Sequence, residues 1–353
     1  MSFDLVDSQV YHFRYTSVKG FFFQDEMDTD ESTFDPLTMN FGLIEQEYDT
    51  DSDLPNSGKS LTQWQRFAHK LKVMNDEAAE GETFRLLYLG RHGQGYHNAA
   101  STYYGFDAWR CYYAPLEGDP LDSGIVWADA NLTRIGIHQA RELNRFWAGL
   151  IEQKCPTPEE FYVSPLTRAC QTAELTFRFL ELPPGAAPFI PTVTEFIRER
   201  TGIHTCDRRG SRHELKRSFP YYEFESSFKE TDELWDPIYR EPLASIDHRA
   251  QLFFDEIFAL SKPSKYISLT SHGGLISSIL RLSGHRSFYL GAGAVIPVLL
   301  KTDKIEGKRP KGPSETGDQK PECTGDPLRA GLDGYDSLGD YVRHIEKGYP
   351  AVE

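Results

Sequence analysis

Three stretches of this chain repeat one local plan, and that repetition restricts the fold more than any other feature. In each, a short apolar run of strand character leads into a polar loop and then into a segment of helical period. Residues 84–89 lead into Arg91-His92-Gly93, and residues 161–163 lead into Ser164-Pro165. Residues 266–270 lead into Ser271-His272-Gly273-Gly274 and an apolar helix reaching Leu282. Alternation of this kind predicts a three-layer α/β/α architecture, a largely parallel central sheet covered by helices on both faces. Ligands of such sheets sit beyond the carboxyl ends of the strands, so all three loops are expected at one pocket. After the second strand, Ser164 suits a helix N-cap and Pro165 the first turn. Leu166, Ala169, Ala173, Phe177 and Leu180 then follow at helical spacing.

The flanks read differently. Residues 1–83 are expected to form an arm outside the main domain, with a strongly acidic stretch at 24–53 and a turn-rich one at 55–60. Trp64, Phe67, Ala68 and Leu71 fall at i, i+3, i+4 and i+7, which predicts a helix packed on the outside of the domain. The main domain is expected over 84–302. A further apolar run at 295–300 reads as a late strand, and Pro297 within it predicts an edge position. Residues 303–353 are expected to be a flexible extension, because 303–327 hold eight Gly or Pro among charges. A short helix around Tyr341-Val342, docked or mobile, would follow.

Composition excludes some functions. A net charge of −15 argues against nucleic acid as a partner, since a phosphate backbone requires a basic surface. No stretch approaches the 18 or so apolar residues of a membrane span. The start, Met1-Ser2-Phe3-Asp4, lacks a basic segment followed by an apolar run, so no secretory signal is expected. Five irregularly spaced cysteines, at 111, 155, 170, 206 and 323, fit reduced thiols better than a disulfide framework. A cytoplasmic protein, with a nuclear location also open, is the expectation.

The loops carry the chemistry. Arg91 and His92 follow a strand directly, and Gly93 and Gly95 leave room for backbone to approach a ligand. Arg168 lies near the start of its helix. His272 precedes two glycines at a helix N-terminus, a natural anion site. Two arginines, two histidines and a helix dipole make a compact trap for a dianion, because the planar guanidinium meets two phosphate oxygens at once. One such residue alone is usually structural or solvated; the set, each member at the same topological place, is what points to phosphate chemistry.

These residues also carry a family resemblance. Arg91-His92-Gly93, with Asn98 shortly after, resembles the RHG signature of the histidine phosphatase superfamily, in its phosphoglycerate mutase-like branch. Leu132-Thr133 with Gly136, Gln139 and Ala140 resembles its next motif. Ser164-Pro165-Leu166-Thr167-Arg168-Ala169-Cys170-Gln171-Thr172-Ala173 and Ser271-His272-Gly273 resemble the two that follow. The resemblance spans roughly residues 84–300. In finer detail the chain is similar to fungal phosphomutase-like proteins, including the Trp64 helix and Thr205-Cys206-Asp207-Arg208-Arg209.

The resemblance implies a phosphatase acting on a small phosphorylated or anionic metabolite, without cofactor or metal. His92 would attack phosphorus as a neutral imidazole. Arg91, Arg168 and a protonated His272 would hold the equatorial oxygens. Asn98, Arg200 and Gly273 are the further residues expected to touch substrate. The acid falls on Glu199, whose Glu199-Arg200-Thr201-Gly202 fits the family's segment better than Glu195 does.

Departures from the family pattern are informative. Gln94, Gly95, Tyr96 and His97 stand where glycolytic mutases carry Glu-Ser and Trp, and 103–127 is a long aromatic insertion. Both favour hydrolysis over mutase chemistry; a biosynthetic enzyme of the same fold acting on a non-phosphorylated metabolite, or a phosphomutase, is the alternative. Residues 198–217 hold seven Arg or Lys against three acids, either a rim for an anionic substrate or a solvated loop. Cys206 and Arg212 have the spacing of a cysteine-dependent phosphatase loop, but no apolar strand precedes them. His204 and Cys206 lack a second pair of metal-ligand spacing.

Overall fold

The computed structural model describes residues 10–121, 124–259, 264–312, 317–319, 323 and 331–350. The expectation drawn from Met1-Ser2-Phe3-Asp4 lies outside the described residues, as do parts of the 303–353 extension. The strands are β1 (Tyr11–Ser17), β2 (Glu82–Arg91), β3 (Glu160–Val163), β4 (Thr192–Val193), β5 (Glu223–Phe224), β6 (Tyr239–Arg240), β7 (Tyr266–Ser271), β8 (Val295–Glu306) and β9 (Asp318–Gln319). Seven of them form one sheet in the order β1-β8-β2-β7-β3-β4-β5, and β6 pairs with β9 apart from it. From β2 through β7, β3 and β4 to β5 every pairing is parallel, while β8 runs antiparallel to both neighbours.

The principal helices are α1 (Gln63–Asp76), α2 (Tyr96–Tyr104), α3 (Arg134–Glu152), α4 (Thr167–Phe177), α5 (Arg212–Ser218), α6 (Leu243–Phe258), α7 (Gly273–Leu282) and α8 (Leu338–Glu346). Side chains alternate across a strand, so β2 sends Leu86 and Tyr88 to one face and Leu87 and Leu89 to the other. The first face packs on Trp64 and Phe67 of α1, Trp147 of α3 and Ala173 and Phe177 of α4. The second packs on Phe253 and Phe254 of α6 and on Ile276 and Ile279 of α7. This is the expected three-layer α/β/α arrangement.

Three expectations are corrected here. Within the expected arm of 1–83, the described residues 10–83 are not an arm: β1 is an edge strand of the sheet, and Trp64, Phe67 and Leu71 are fully buried. The acidic stretch is docked too, with Asp25 and His285 forming a fully buried pair at 2.9 Å. Pro297 is not on the sheet edge, because β8 lies between β1 and β2. Its lack of an N–H is tolerated because β1 ends opposite Leu300, so at Pro297 the strand pairs only with Tyr88 of β2. There Gln24 Nε2 donates to the Pro297 carbonyl oxygen at 2.8 Å.

The tail and the cysteines differ as well. Helix α8 docks Leu338 and Val342 into a third apolar cluster with Ala99, Tyr103, Trp109 and Trp127. Cys111 and Cys323 are joined in a disulfide across 212 residues, whereas Cys155, Cys170 and Cys206 are buried free thiols. Spacing cannot reveal a bridge between one residue in an insertion and one in a tail. Among the described residues no helix is long and apolar enough to cross a membrane.

Candidate active site

The ends of β2, β7 and the β3 segment bring His92, His272 and Arg168 together, as the repeated plan predicts. Backbone bonds fix the first loop: His92 N donates to Ser271 O at 2.9 Å, and Gly293 N donates to His92 O at 2.9 Å. Gly93 N donates to Thr172 Oγ1 of α4 at 3.0 Å. The motif that opens α3 supports the same loop from below. Thr133 caps the helix, accepting from Gly136 N at 3.2 Å, and Gln139 Oε1 accepts from Gln94 N at 2.8 Å. A Cβ on Gly136 would lie 2.1 Å from Gln94 O, and one on Gly93 would lie 2.6 Å from Gly136 O. The two backbones touch, which is why both positions are glycine.

His92 is 2% exposed. Its Nδ1 lies 2.7 Å from Gly93 O, so Nδ1 carries the proton and donates there. Nε2 is left as the lone-pair nitrogen and accepts from Arg168 Nε at 3.3 Å. Burial, reinforced by Arg168 and Arg91, pushes His92 well below the usual histidine range. The imidazole is therefore neutral, with its nucleophilic lone pair on Nε2. Its ring centroid is 5.0 Å from that of His272 and 5.4 Å from that of His97.

His272 is fully buried and bonds Ser164 Oγ through Nε2 at 2.6 Å, while Nδ1 has no partner among the described residues. Ser164 thus braces a histidine and is not the expected N-cap. Asp129 takes over at that helix end, accepting from Thr167 N at 2.9 Å and from Thr167 Oγ1 at 2.8 Å. Burial and the neighbouring Arg168 push His272 well down, so the protonated His272 implied by the resemblance is not favoured by the protein's own charges. An anion beside it would be needed to raise it.

Arg168, 1% exposed, is held from behind. Nη1 donates to Cys206 O at 2.5 Å and Nη2 to Asp207 Oδ1 at 3.0 Å. Asp207 also accepts from Arg240 Nη2 on its other oxygen at 2.9 Å. Burial alone would raise the Asp207 carboxyl, but Arg240 and Arg168 outweigh it and hold it below the ordinary value. Its contribution to stability is therefore present above the ordinary carboxylate range and lost as pH falls through the depressed value. Asp207→Asn is expected to cost about 3–5 kcal/mol, the scale for breaking a buried ion pair. Urea denaturation at pH 7 measures it; a loss below about 1 kcal/mol, the range of exposed pairs, would contradict this role.

Arg91 Nη1 donates to Leu290 O at 2.7 Å and to Tyr289 OH at 3.3 Å, and its buried Nε has no partner among the described residues. A cleft of about 460 Å3 opens in front of Arg91, His92 and Arg168, lined also by Asn98, Glu199 and Arg200 among others, whereas His272 does not reach its wall. Asn98 Oδ1 accepts from Gly95 N at 2.9 Å, so its oxygen closes the loop and only its amide nitrogen remains for a ligand. Glu199 sits at the start of α7, where its oxygens accept from Arg200 N at 2.9 Å and Gly274 N at 3.3 Å. Glu195 is instead bound by Arg198 at 2.9 Å and Arg209 at 2.6 Å and lines a separate cavity. Gly273, expected to touch substrate, is not in the cleft wall; a Cβ there would lie 3.5 Å from Arg91 Nε, so it backs the guanidinium.

The basic stretch at 198–217 resolves into neither earlier reading as a whole. Arg198 and Arg209 are buried in ion pairs with Glu195 and Asp232, and Arg200 reaches the cleft. Cys206 is no nucleophile, because burial pushes its thiol far up and Arg212 lies outside the cleft wall. His204, Cys206 and Asp207 lie within 4.8 Å of one another, but both Asp207 oxygens are already bound to arginines. Sequence reasoning gave no site role to His97, Phe106, Trp109, Arg110, Asp207 or Arg240, which also line the cleft. The aromatic insertion signalled three of them, His97 stood in the altered loop after His92, and Asp207 stood in the Thr205–Arg209 stretch of the resemblance; nothing local signalled Arg240.

Among known proteins, the family model of the histidine phosphatase superfamily (branch 1) matches residues 124–288, a span that starts after His92. A probable phosphoglycerate mutase of Arthroderma benhamiae is 47% identical over 301 residues, 85% of this chain and 88% of that protein. Phosphomutase-like protein 3 of Candida albicans is 33% identical over 297 residues, 84% of this chain and 83% of its own. The probable phosphoglycerate mutase PMU1 of Saccharomyces cerevisiae is 34% identical over 236 residues, 62% and 79% respectively.

Proposed function

This chain belongs to the histidine phosphatase superfamily, and we propose that within it the protein is a phosphatase, hydrolysing a phosphate ester of a small anionic metabolite through a phosphohistidine on His92. The observation that carries this reading is the state of His92, neutral, with Nδ1–H committed to Gly93 O and Nε2 directed to the Arg168 edge of the cleft. In the first half-reaction Nε2 attacks phosphorus, the ester P–O bond breaks, and Glu199 gives its proton to the departing oxygen. Arg91 and Arg168 stabilise the charge on the equatorial oxygens, and the same dianion draws a proton onto His272. In the second half-reaction Glu199 takes a proton from water, whose oxygen attacks phosphorus and releases His92 and inorganic phosphate.

Hydrolysis is favoured over mutase chemistry by the pocket wall. A mutase must keep water from its phosphoenzyme, whereas Phe106 on this cleft is 68% exposed. Incubation with a chromogenic monoester and, separately, with a phosphoglycerate tests the reading. Release of inorganic phosphate with burst kinetics supports it; isomerisation of the phosphoglycerate faster than phosphate release would replace it with a mutase. Excess EDTA is expected to leave the rate within about twofold, since cationic side chains supply the charge a metal would otherwise bring. A complete loss restored by a divalent ion would reject the metal-free scheme.

A further inference from the structure

The outer end of the cleft is built by two segments that lie far from the four motifs. One is the insertion, where Phe106, Trp109 and Arg110 line the wall; the other is the tail, where Asp318 and Gln319 do. Among the described residues, little holds the tail segment. Strand β9 pairs with β6 over two residues, Tyr239↔Gln319 and Arg240↔Asp318, and so short a ladder is marginal in water. Asp318 pairs with Arg200, but the Asp318 side chain is 72% exposed, where an ion pair contributes little. The fit is nevertheless close, since a Cβ on Gly317 would lie 2.5 Å from Arg240 O. What joins the two walls is covalent. Cys111 lies within Trp109–Tyr113, directly after Arg110, and its sulfur is bonded to Cys323, four residues beyond Gln319.

We propose that residues 317–319 are a strap forming the outer wall of the leaving-group pocket, clamped against the insertion by Cys111–Cys323, and that the clamp limits the size of the leaving group the enzyme accepts. The proposal rests on the phosphatase reading for the meaning of the pocket. The inner end, with His92 at 2% exposure, takes the phosphoryl group, and the strap meets whatever is attached to it. A closed disulfide removes open conformations of the strap from the accessible ensemble, and reduction returns them. A dithiol reductant supplies the two electrons and two protons, leaving two thiols here and a cyclic disulfide of its own. The pocket then accepts bulkier groups while the phosphoryl end is unchanged.

Binding of methylphosphonate and of 1-naphthylmethylphosphonate, measured calorimetrically, tests this without requiring turnover. Relative to the oxidised protein, Cys323→Ser and Cys111→Ser should each tighten the naphthyl probe about tenfold and leave the methyl probe within about twofold. Dithiothreitol should reproduce the change in the parent protein and do nothing further in Cys323→Ser. Thiol titration of the unfolded, unreduced protein should find three free thiols, those of Cys155, Cys170 and Cys206. Five thiols, an unchanged ratio of the two affinities, or an equal change in both would overturn the strap. Discrimination between the probes that responds to the clamp, without ester hydrolysis, would overturn only the phosphatase reading. Failure to bind either probe would overturn both.

Discussion

His92→Ala is expected to abolish hydrolysis, by on the order of 10⁶-fold, the scale on which removal of a covalent nucleophile acts. The size of the effect follows from where the lone pair is. Nδ1 is committed to Gly93 O and Nε2 to the Arg168 side of the cleft, so no other orientation of the ring is supported by its surroundings. His272 is not placed to substitute: its Nε2 is bound to Ser164 Oγ, and although its Nδ1 finds no partner among the described residues, the ring does not line the cleft. His97 lies beside His92, ring centroids 5.4 Å apart, but among the described residues no partner fixes its Nδ1 as Gly93 O fixes that of His92. The fold should survive, since the loop is held by backbone bonds to Ser271 and Gly293 that alanine retains. Acid-labile, base-stable phosphate should be trapped on the parent protein during turnover and be absent from the variant, with the circular dichroism spectrum unchanged. Full activity in His92→Ala would end the phosphohistidine mechanism.

The same loops show why the centre of this fold was legible and its margins were not. Each of the three strand–loop–helix units is local, and sheet topology then forces their loops to one edge, so His92, Arg168 and His272 could be placed together without any contact being known. Glu199 was separable from Glu195 by its segment, and the structure gives the physical difference: one carboxylate lines the cleft and the other is tied to two buried arginines. What could not be read depends on contacts remote in sequence. Strand β1 joins the sheet through β8, nearly the whole chain away, so an acidic, irregular first segment resembled an appendage. Asp207 matters because Arg168 and Arg240 approach it from different elements, and nothing in its immediate neighbourhood foretells that. The tail looked flexible because Gly, Pro and charge dominate it, yet Arg309 is bound to Asp255 and Tyr15, and α8 is anchored by Glu346, which accepts from Arg134 N. Composition measures the propensity of a segment alone; docking depends on the surface it meets.

Glu199→Gln is expected to slow hydrolysis of an alkyl phosphate by about 10²–10⁴-fold, the contribution of a positioned general acid and base. The substitution is nearly isosteric, and the amide oxygen can keep the bond from Arg200 N. The longer bond from Gly274 N, made to the other carboxylate oxygen, is given up because an NH2 group cannot accept it, a small cost at the start of α7 that does not bear on the reaction. What is lost is the proton. An alkoxide cannot leave unaided, so the first half-reaction becomes limiting for poor leaving groups. A nitrophenolate departs with little assistance, and its first step should suffer less. The second half-reaction still lacks its base, so with nitrophenyl phosphate the variant should accumulate phosphohistidine and show a burst of one nitrophenolate per active site. Glu195→Gln should do neither, because that carboxylate faces Arg198 and Arg209 across a different cavity; its cost is expected in stability. Alkyl phosphate turnover at the parent rate in Glu199→Gln, with a large loss in Glu195→Gln, would transfer the role of acid from the first residue to the second.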